Sequence, residues 1–99
     1  MNHIYIDIYV DKVKFYIVYY EQDENRKIKD DEIILPISFS IGDKLYYTKK
    51  IISTAIDQYN IEAYNLKLED DIGLEIVDAV KMEGVLEELF SSKGVIRWK

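Results

Sequence analysis

The chain has no cysteine, one proline, four glycines and one histidine in 99 residues. Without thiols, disulfide staples, thiolate metal sites, cysteine nucleophiles and redox signalling are all excluded. The single imidazole, His3, lies beside the chain start, so the usual serine or cysteine triad cannot be assembled and a surface position is expected for it. Gly42, Gly73, Gly84 and Gly94 are dispersed, which leaves no glycine loop for phosphate. No apolar run is long enough to span a bilayer, and no charged and apolar leader precedes the first alternating segment. The expectation is an intracellular protein without membrane association, in the cytoplasm of the producing or host cell. Internal repeats and Gly/Ser linkers are absent too.

What is present is a well-patterned globular composition, with 48% hydrophobic and 32% charged residues. A chain of this length makes a single domain, residues 1–99, burying roughly 60 to 65% of its extended surface. The formal net charge of -6 repels phosphate backbones at long range. Basic residues cluster only at Arg26, Lys27 and Lys29 and at Lys93, Arg97 and Lys99. Nucleic acid is therefore not the expected partner.

The segment from Ile4 to Tyr20 alternates in two runs. With Asp11 and Lys12 as a two-residue turn, Val10 pairs with Val13, Ile8 with Phe15, Ile6 with Ile17 and Ile4 with Tyr19, all on one side. Tyr5, Asp7, Tyr9, Lys14, Tyr16, Val18 and Tyr20 then share the other side. Glu21 to Asp31 is polar apart from Ile28 and reads as a mobile loop. Glu32 to Ser40 reads as a third strand, in which Pro36 favours an edge or a bulge. From Asp43, a suitable N-cap, to Tyr59, the positions Leu45, Thr48, Ile52, Ala55, Ile56 and Tyr59 recur at helical spacing. An alternative makes Leu45 to Thr48 a strand after a Gly42-Asp43 turn.

Ile61–Leu68 alternates as a strand, and Asp70 and Asp71 open a helix with the stripe Ile72, Ile76, Ala79 and Val80. That stripe loses phase at Glu83 and Gly84, which predicts a break and a second short helix, Val85 to Ser92, burying Leu86, Leu89 and Phe90. Val95 to Trp98 closes as a strand. The order β-β-β-α-β-α-α-β predicts an α+β fold: a two-layer domain whose mixed β-sheet, opened by the N-terminal hairpin, carries two or three helices on one face. The tyrosine side of the hairpin is left on the other.

Tyrosine is amphipathic and enriched in binding surfaces. Tyr5, Tyr9, Tyr16 and Tyr20, with Lys14, are thus the expected interface, and the expected function is a non-enzymatic protein-interaction module, either a homodimer or a binder of another protein. One alternative has the same rings stacking single-stranded bases, with Lys14 and the segment Arg26 to Lys29 near the phosphates. Another has Glu83, Glu87 and Glu88, beside Asp71, Glu75 and Asp78, mimicking nucleic acid against a basic partner. No catalytic residue, metal-ligand set or cofactor is expected. Among the carboxylates, Asp7 has the strongest functional case, because it points from mid-strand into aromatic surroundings where desolvation raises its pKa. A hydrolytic pair would need a second carboxylate, Glu62 or Asp57; the plainer role for Asp7 is to pair with Lys14 or to prevent edge association.

In length, lack of cysteine, the Ile, Lys and Tyr bias of "IYIDIYVDKVKFYIVYY" and the charge density of "NRKIKDDE" and "NLKLEDD", the chain resembles the small proteins of filamentous viruses of thermoacidophilic archaea, the lipothrixvirus and rudivirus group. The resemblance implies a thermostable viral accessory protein. It involves no functional motif and transfers no site residue.

Overall fold

The alternation in the first twenty residues is satisfied by a hairpin whose aliphatic side is buried and whose tyrosine side is not. A computed structural model describes residues 1–69 and 76–98. The elements run β1 Asn2–Ile8, β2 Lys12–Tyr20, β3 Asn25–Ile34, α1 Ile41–Tyr59, β4 Ile61–Leu68, α2 Ile76–Ser92 and β5 Ile96–Arg97. They form a five-stranded mixed sheet of order β3-β2-β1-β4-β5, in which β1 is antiparallel to β2 and parallel to β4. Ile4, Ile6 and Ile8 of β1 are at most 1% exposed and meet Val13, Phe15 and Ile17 of β2 and Tyr64 and Leu66 of β4 in one core. The fold class is the α+β single domain that the pattern implied.

The hairpin register differs from the expected one. Ile8 opposes Val13, Ile6 opposes Phe15, Ile4 opposes Ile17 and Asn2 opposes Tyr19, so Val10 and Asp11 make the turn and Tyr9 N–H donates to the Lys12 carbonyl. Moving a turn by one place changes each partner by two residues, and a period of two leaves every side chain on its face. The observed register sets Ile4 against Ile17 and leaves Tyr19 at the open end.

Residues 21–31 are not a loop. After a short turn the chain forms β3, an edge strand in which only Ile33 is buried. Its backbone pairing with β2, including Glu32 opposite Lys14, defines it, and an uncovered edge needs no apolar pattern. The third strand ends at Ile34, not Ser40; Pro36 then starts a turn closed by Phe39 N–H on its carbonyl.

Helix α1 is helical throughout 44–49. Its N-cap is Ser40, not Asp43: the Ser40 Oγ accepts from the Asp43 N–H at 3.1 Å. Thr48, Ile52, Ala55 and Ile56 are its buried positions. Asn60 ends it in the left-handed conformation with φ 50, and the Asn2 side-chain amide donates to the Tyr59 carbonyl, tying the helix end to the start of β1.

Helix α2 is continuous through Gly84. Met82, not Val80, carries the stripe, so Ala79, Met82, Leu86, Leu89 and Phe90 are buried in unbroken helical phase while Val80 is exposed. The two short helices expected there are one. Asp70, Asp71 and Ile72, placed at its start by the sequence, lie outside the described residues. The final strand is shorter than expected, Ile96–Arg97, with Val95 buried before it. Phe90 stacks on Tyr64 of β4 at a centroid distance of 4.0 Å, locking α2 to the sheet. Among the described residues no helix is long and apolar enough to cross a membrane.

Truncating Ile6 or Ile17 to Ala should cost about 2 to 5 kcal/mol of stability, as for other buried aliphatic side chains. Tyr9→Ala and Tyr16→Ala, on the uncovered side, should cost clearly less. Urea unfolding of the four variants tests the assignment of inside and outside, which the reverse ranking would overturn.

Candidate functional site

With the core on one side of the sheet, the other side brings together His3, Tyr5 and Asp7 of β1, Lys14, Tyr16 and Tyr20 of β2, and Asn65 and Lys67 of β4. Of the expected interface residues, Tyr5, Tyr16, Tyr20 and Lys14 lie on this face. Tyr9 follows β1 at its turn end, where the Lys12 and Lys14 amines lie 5.1 and 5.5 Å from its ring centre.

His3 is not at the surface. It is 1% exposed and stacks on Tyr5 at 4.3 Å between ring centres; Tyr5 in turn stacks on Tyr16 at 4.8 Å. Side chains two apart on β1 and cross-strand neighbours on β2 thus form one column of parallel rings. Its outer faces are occupied as well: the Lys27 amine lies 4.8 Å from the Tyr16 ring centre, and Trp98 meets His3 edge-on at 6.0 Å. The column therefore offers ring edges and hydroxyls, not free ring faces, to a ligand. Stacking of bases, the alternative read from the sequence, would have to displace these neighbours.

A polar chain fixes the column laterally. Asn65 donates through Nδ2 to the Trp98 carbonyl at 2.7 Å, so its Oδ1 accepts from His3 Nε2 at 2.6 Å, which assigns the imidazole proton to Nε2. Burial outweighs this bond and lowers the His3 pKa from its ordinary value. Tyr5 and Tyr20 share a hydrogen bond between their hydroxyls. Burial, then this bond, push the Tyr5 pKa up to about 12, so the phenol is neutral.

Beside the column, at the carboxyl ends of the parallel strands β1 and β4, a cleft of about 710 Å³ is lined by Tyr5, Asp7, Tyr16, Lys67, Glu69 and Trp98. Of its two carboxylates, Glu69 acts on Asp7. The Asp7 pKa is raised, first by burial and then by the negative charge of Glu69, while Lys67 and Lys14 pull it down. Lys67 binds Glu69 at 3.1 Å, and that hydrogen bond raises the Lys67 pKa. Glu69 is positioned by its own backbone, whose N–H donates to the Ile8 carbonyl at 2.8 Å.

The second carboxylate is thus Glu69, not the residues expected from the sequence. Asp57 is on α1 in an ion pair with Lys93 at 3.0 Å, and Glu62 is exposed on β4. Lys14 does lie directly across from Asp7. Sequence reasoning also missed His3, Asn65 and Trp98, whose only shared signal is the tertiary register of β1 on β4. Among the described residues no group of three potential metal ligands exists. Of the acidic row considered as a nucleic-acid mimic, Asp71 and Glu75 lie outside the described residues, and Glu87 is paired with Arg97 at 2.9 Å.

No protein-family model and no curated protein sequence matches the chain. Solved structures do. Thermus thermophilus RuvC, solved in complex with a Holliday junction substrate, superposes with a TM-score of 0.83 over 99% of this chain at 12% identity. The chain shares the RuvC fold. It spans 65% of that RuvC chain, somewhat under two thirds. An Aquifex aeolicus member of the Ppx/GppA family is similar at a TM-score of 0.61 and 18% identity, and a Cytophaga hutchinsonii exopolyphosphatase at 0.64 and 7%. The chain covers 34% and 33% of those two. At these identities the likeness is one of fold.

The raised Asp7 pKa carries a sign. In the window between the ordinary carboxylate value and the raised one, the folded state holds the extra proton, so stability falls as pH rises through it, and the cost persists at neutral pH. Asp7→Asn should therefore raise the melting temperature at neutral pH and flatten its acid-side pH dependence. Thermal melts from mildly acidic to neutral pH test this; an Asn variant less stable than the parent at neutral pH would show that the carboxylate is held by net favourable contacts.

Proposed function

We propose that the open face binds the phosphate backbone of nucleic acid, with Asp7 and Glu69 as a carboxylate pair that takes a divalent cation. The observation that carries this reading is the convergence of the two carboxylates in one cleft, with the charge of Glu69 opposing ionisation of Asp7. A cation relieves that opposition, and a hard cation takes carboxylate oxygens together with water. Lys67, which neutralises Glu69 here, is 73% exposed at its side chain and free to swing toward a phosphate. Lys14, across the strand from Asp7, adds a second amine. Hydroxyls of the ring column are donors suited to phosphate oxygens. A divalent cation would supply charge at a phosphate oxygen and a water of lowered pKa, so the fitting reaction class is phosphodiester hydrolysis.

Net charge alone points away from nucleic acid. What outweighs it is local: carboxylates that hold a cation reverse their own contribution, and the RuvC of shared fold was solved on a Holliday junction.

A second reading keeps the face as a protein-interaction surface built on Tyr5, Tyr9, Tyr16, Tyr20 and Lys14, in a viral accessory protein or another setting. The observation favouring it is the hydroxyl-edged column itself, since rigid, half-buried tyrosines lose little entropy on contact. The two readings separate experimentally. Magnesium or manganese, in about hundredfold excess over its Kd, should stabilise the protein by about 2.7 kcal/mol. The stabilisation should vanish in Asp7→Asn and Glu69→Gln. Binding of a labelled four-way DNA junction should depend on the cation and on the same two residues. If neither cation shifts the melt nor promotes junction binding, the carboxylate reading falls; loss of a protein complex in Tyr9→Ala and Tyr16→Ala would then favour the second.

A further inference from the structure

The sheet has a second surface with its own chemical pattern. Strand β3 is an edge of ten residues, long for a strand, and among the described residues no strand pairs with its outer side. An unpaired edge is a template for association, and proteins commonly guard it with charge. Here the charges are sorted along the strand, with Arg26, Lys27 and Lys29 in the first half and Asp30, Asp31 and Glu32 in the second. Such a strand repels a copy of itself laid parallel and in register. Laid antiparallel, its basic half meets an acidic half.

The faces agree with this arrangement. Lys29 and Asp31 oppose Ile17 and Phe15 of β2 and so lie on the helix side; Lys27 and Glu32 oppose Val18 and Lys14 and lie on the open side. The irregularity between Lys27 and Lys29 accounts for the change of side over two residues. We propose that two copies of the chain pair through β3, antiparallel about a two-fold axis at Asp30, with Lys29 opposite Asp31 and Lys27 opposite Glu32 of the second copy. The two-fold repeats each pair, and both members of every pair share a face, as cross-strand partners must.

The present partners of these lysines are easily exchanged. Lys27 with Asp30 at 3.2 Å and Lys29 with Asp31 at 3.6 Å are exposed pairs within one strand, each worth little in water. Asp30 meets its own counterpart at the axis, the single like-charged contact of the pairing. The pairing would also set Ile34, 58% exposed, against Asn25 of the second copy. The edge lies two strands from Asp7, and only Lys27, over the Tyr16 ring, reaches the wall of the carboxylate cleft; the pairing does not depend on the proposed cation site.

Sedimentation velocity on wild type and four variants tests the pairing. Wild type should self-associate, more weakly as salt is raised. Lys27→Glu/Lys29→Glu makes the edge acidic throughout, and Asp31→Lys/Glu32→Lys makes it basic; each alone should associate at least about tenfold more weakly, and an equimolar mixture should restore a heterodimer. All four side chains are exposed or half-buried, and circular dichroism checks that both variants are folded. Asp30→Asn should tighten the wild-type dimer, whereas Asp23→Asn, the same charge change in the turn before β3, should not. A wild type that stays monomeric at high concentration, variants that associate like wild type, or a mixture that gains nothing would each overturn the pairing, and equal tightening by both Asn variants would overturn the register.

Discussion

The burial of one face of β1 is the constraint on which the rest depends. This strand is central, hydrogen-bonded to β2 on one side and β4 on the other, and its three isoleucines are essentially out of solvent. Burying three such side chains contributes several kcal/mol, on the order of 1.5 to 3 each. A one-residue slip would expose all three and bury Tyr5 and Asp7 instead. That penalty, not the chemistry of the turn, selects the register, which is why the turn can sit one place from where its residues suggest and every face is still preserved.

Because Ile4, Ile6 and Ile8 face the helices, His3, Tyr5 and Asp7 must face away from them. The parallel pairing of β1 with β4 then sets Asn65 beside Tyr5 and Lys67 beside Asp7. The polar face is therefore a by-product of the core register. It is also unusually well tied together for an uncovered sheet: rings fill ring faces, Asn65 spans His3 and Trp98, and Tyr5 holds Tyr20. At the carboxyl ends of β1 and β4 the balance differs. There two carboxylates share a cleft, and burial together with the charge of Glu69 raises the Asp7 pKa. A stabilised column beside an electrostatically uncomfortable pair is the contrast that singles out the cleft.

The likeness to RuvC at 12% identity has the same origin. Two sequences share this fold when each buries one face of a central strand and covers it with helices after the third and fourth strands, and many apolar residues satisfy that requirement. The edge strand shows the converse. Among the described residues no strand pairs with β3 on its outer side, so packing places little demand on its side chains other than Ile33.

By itself the sequence determined the alternation of β1 and β2, the faces of the tyrosines and isoleucines, strand Ile61–Leu68 and the helical spacing of Thr48, Ile52, Ala55 and Ile56, because each is a periodicity imposed by burial of one side. It also singled out Asp7, since a carboxylate in mid-strand among aromatics is costly wherever the strand lies. Tertiary structure decided the rest. The first part of strand β3, Asn25 to Asp31, was invisible because an edge needs only backbone partners, which every residue but proline supplies. The unbroken α2 depended on Met82 reaching a core whose shape no local pattern reveals. His3 became a buried element of the column, and Glu69 became the partner of Asp7, through the parallel register of β1 on β4, which joins residues more than sixty positions apart. That register is set by packing against two helices at once, so no segment of the chain carries it alone.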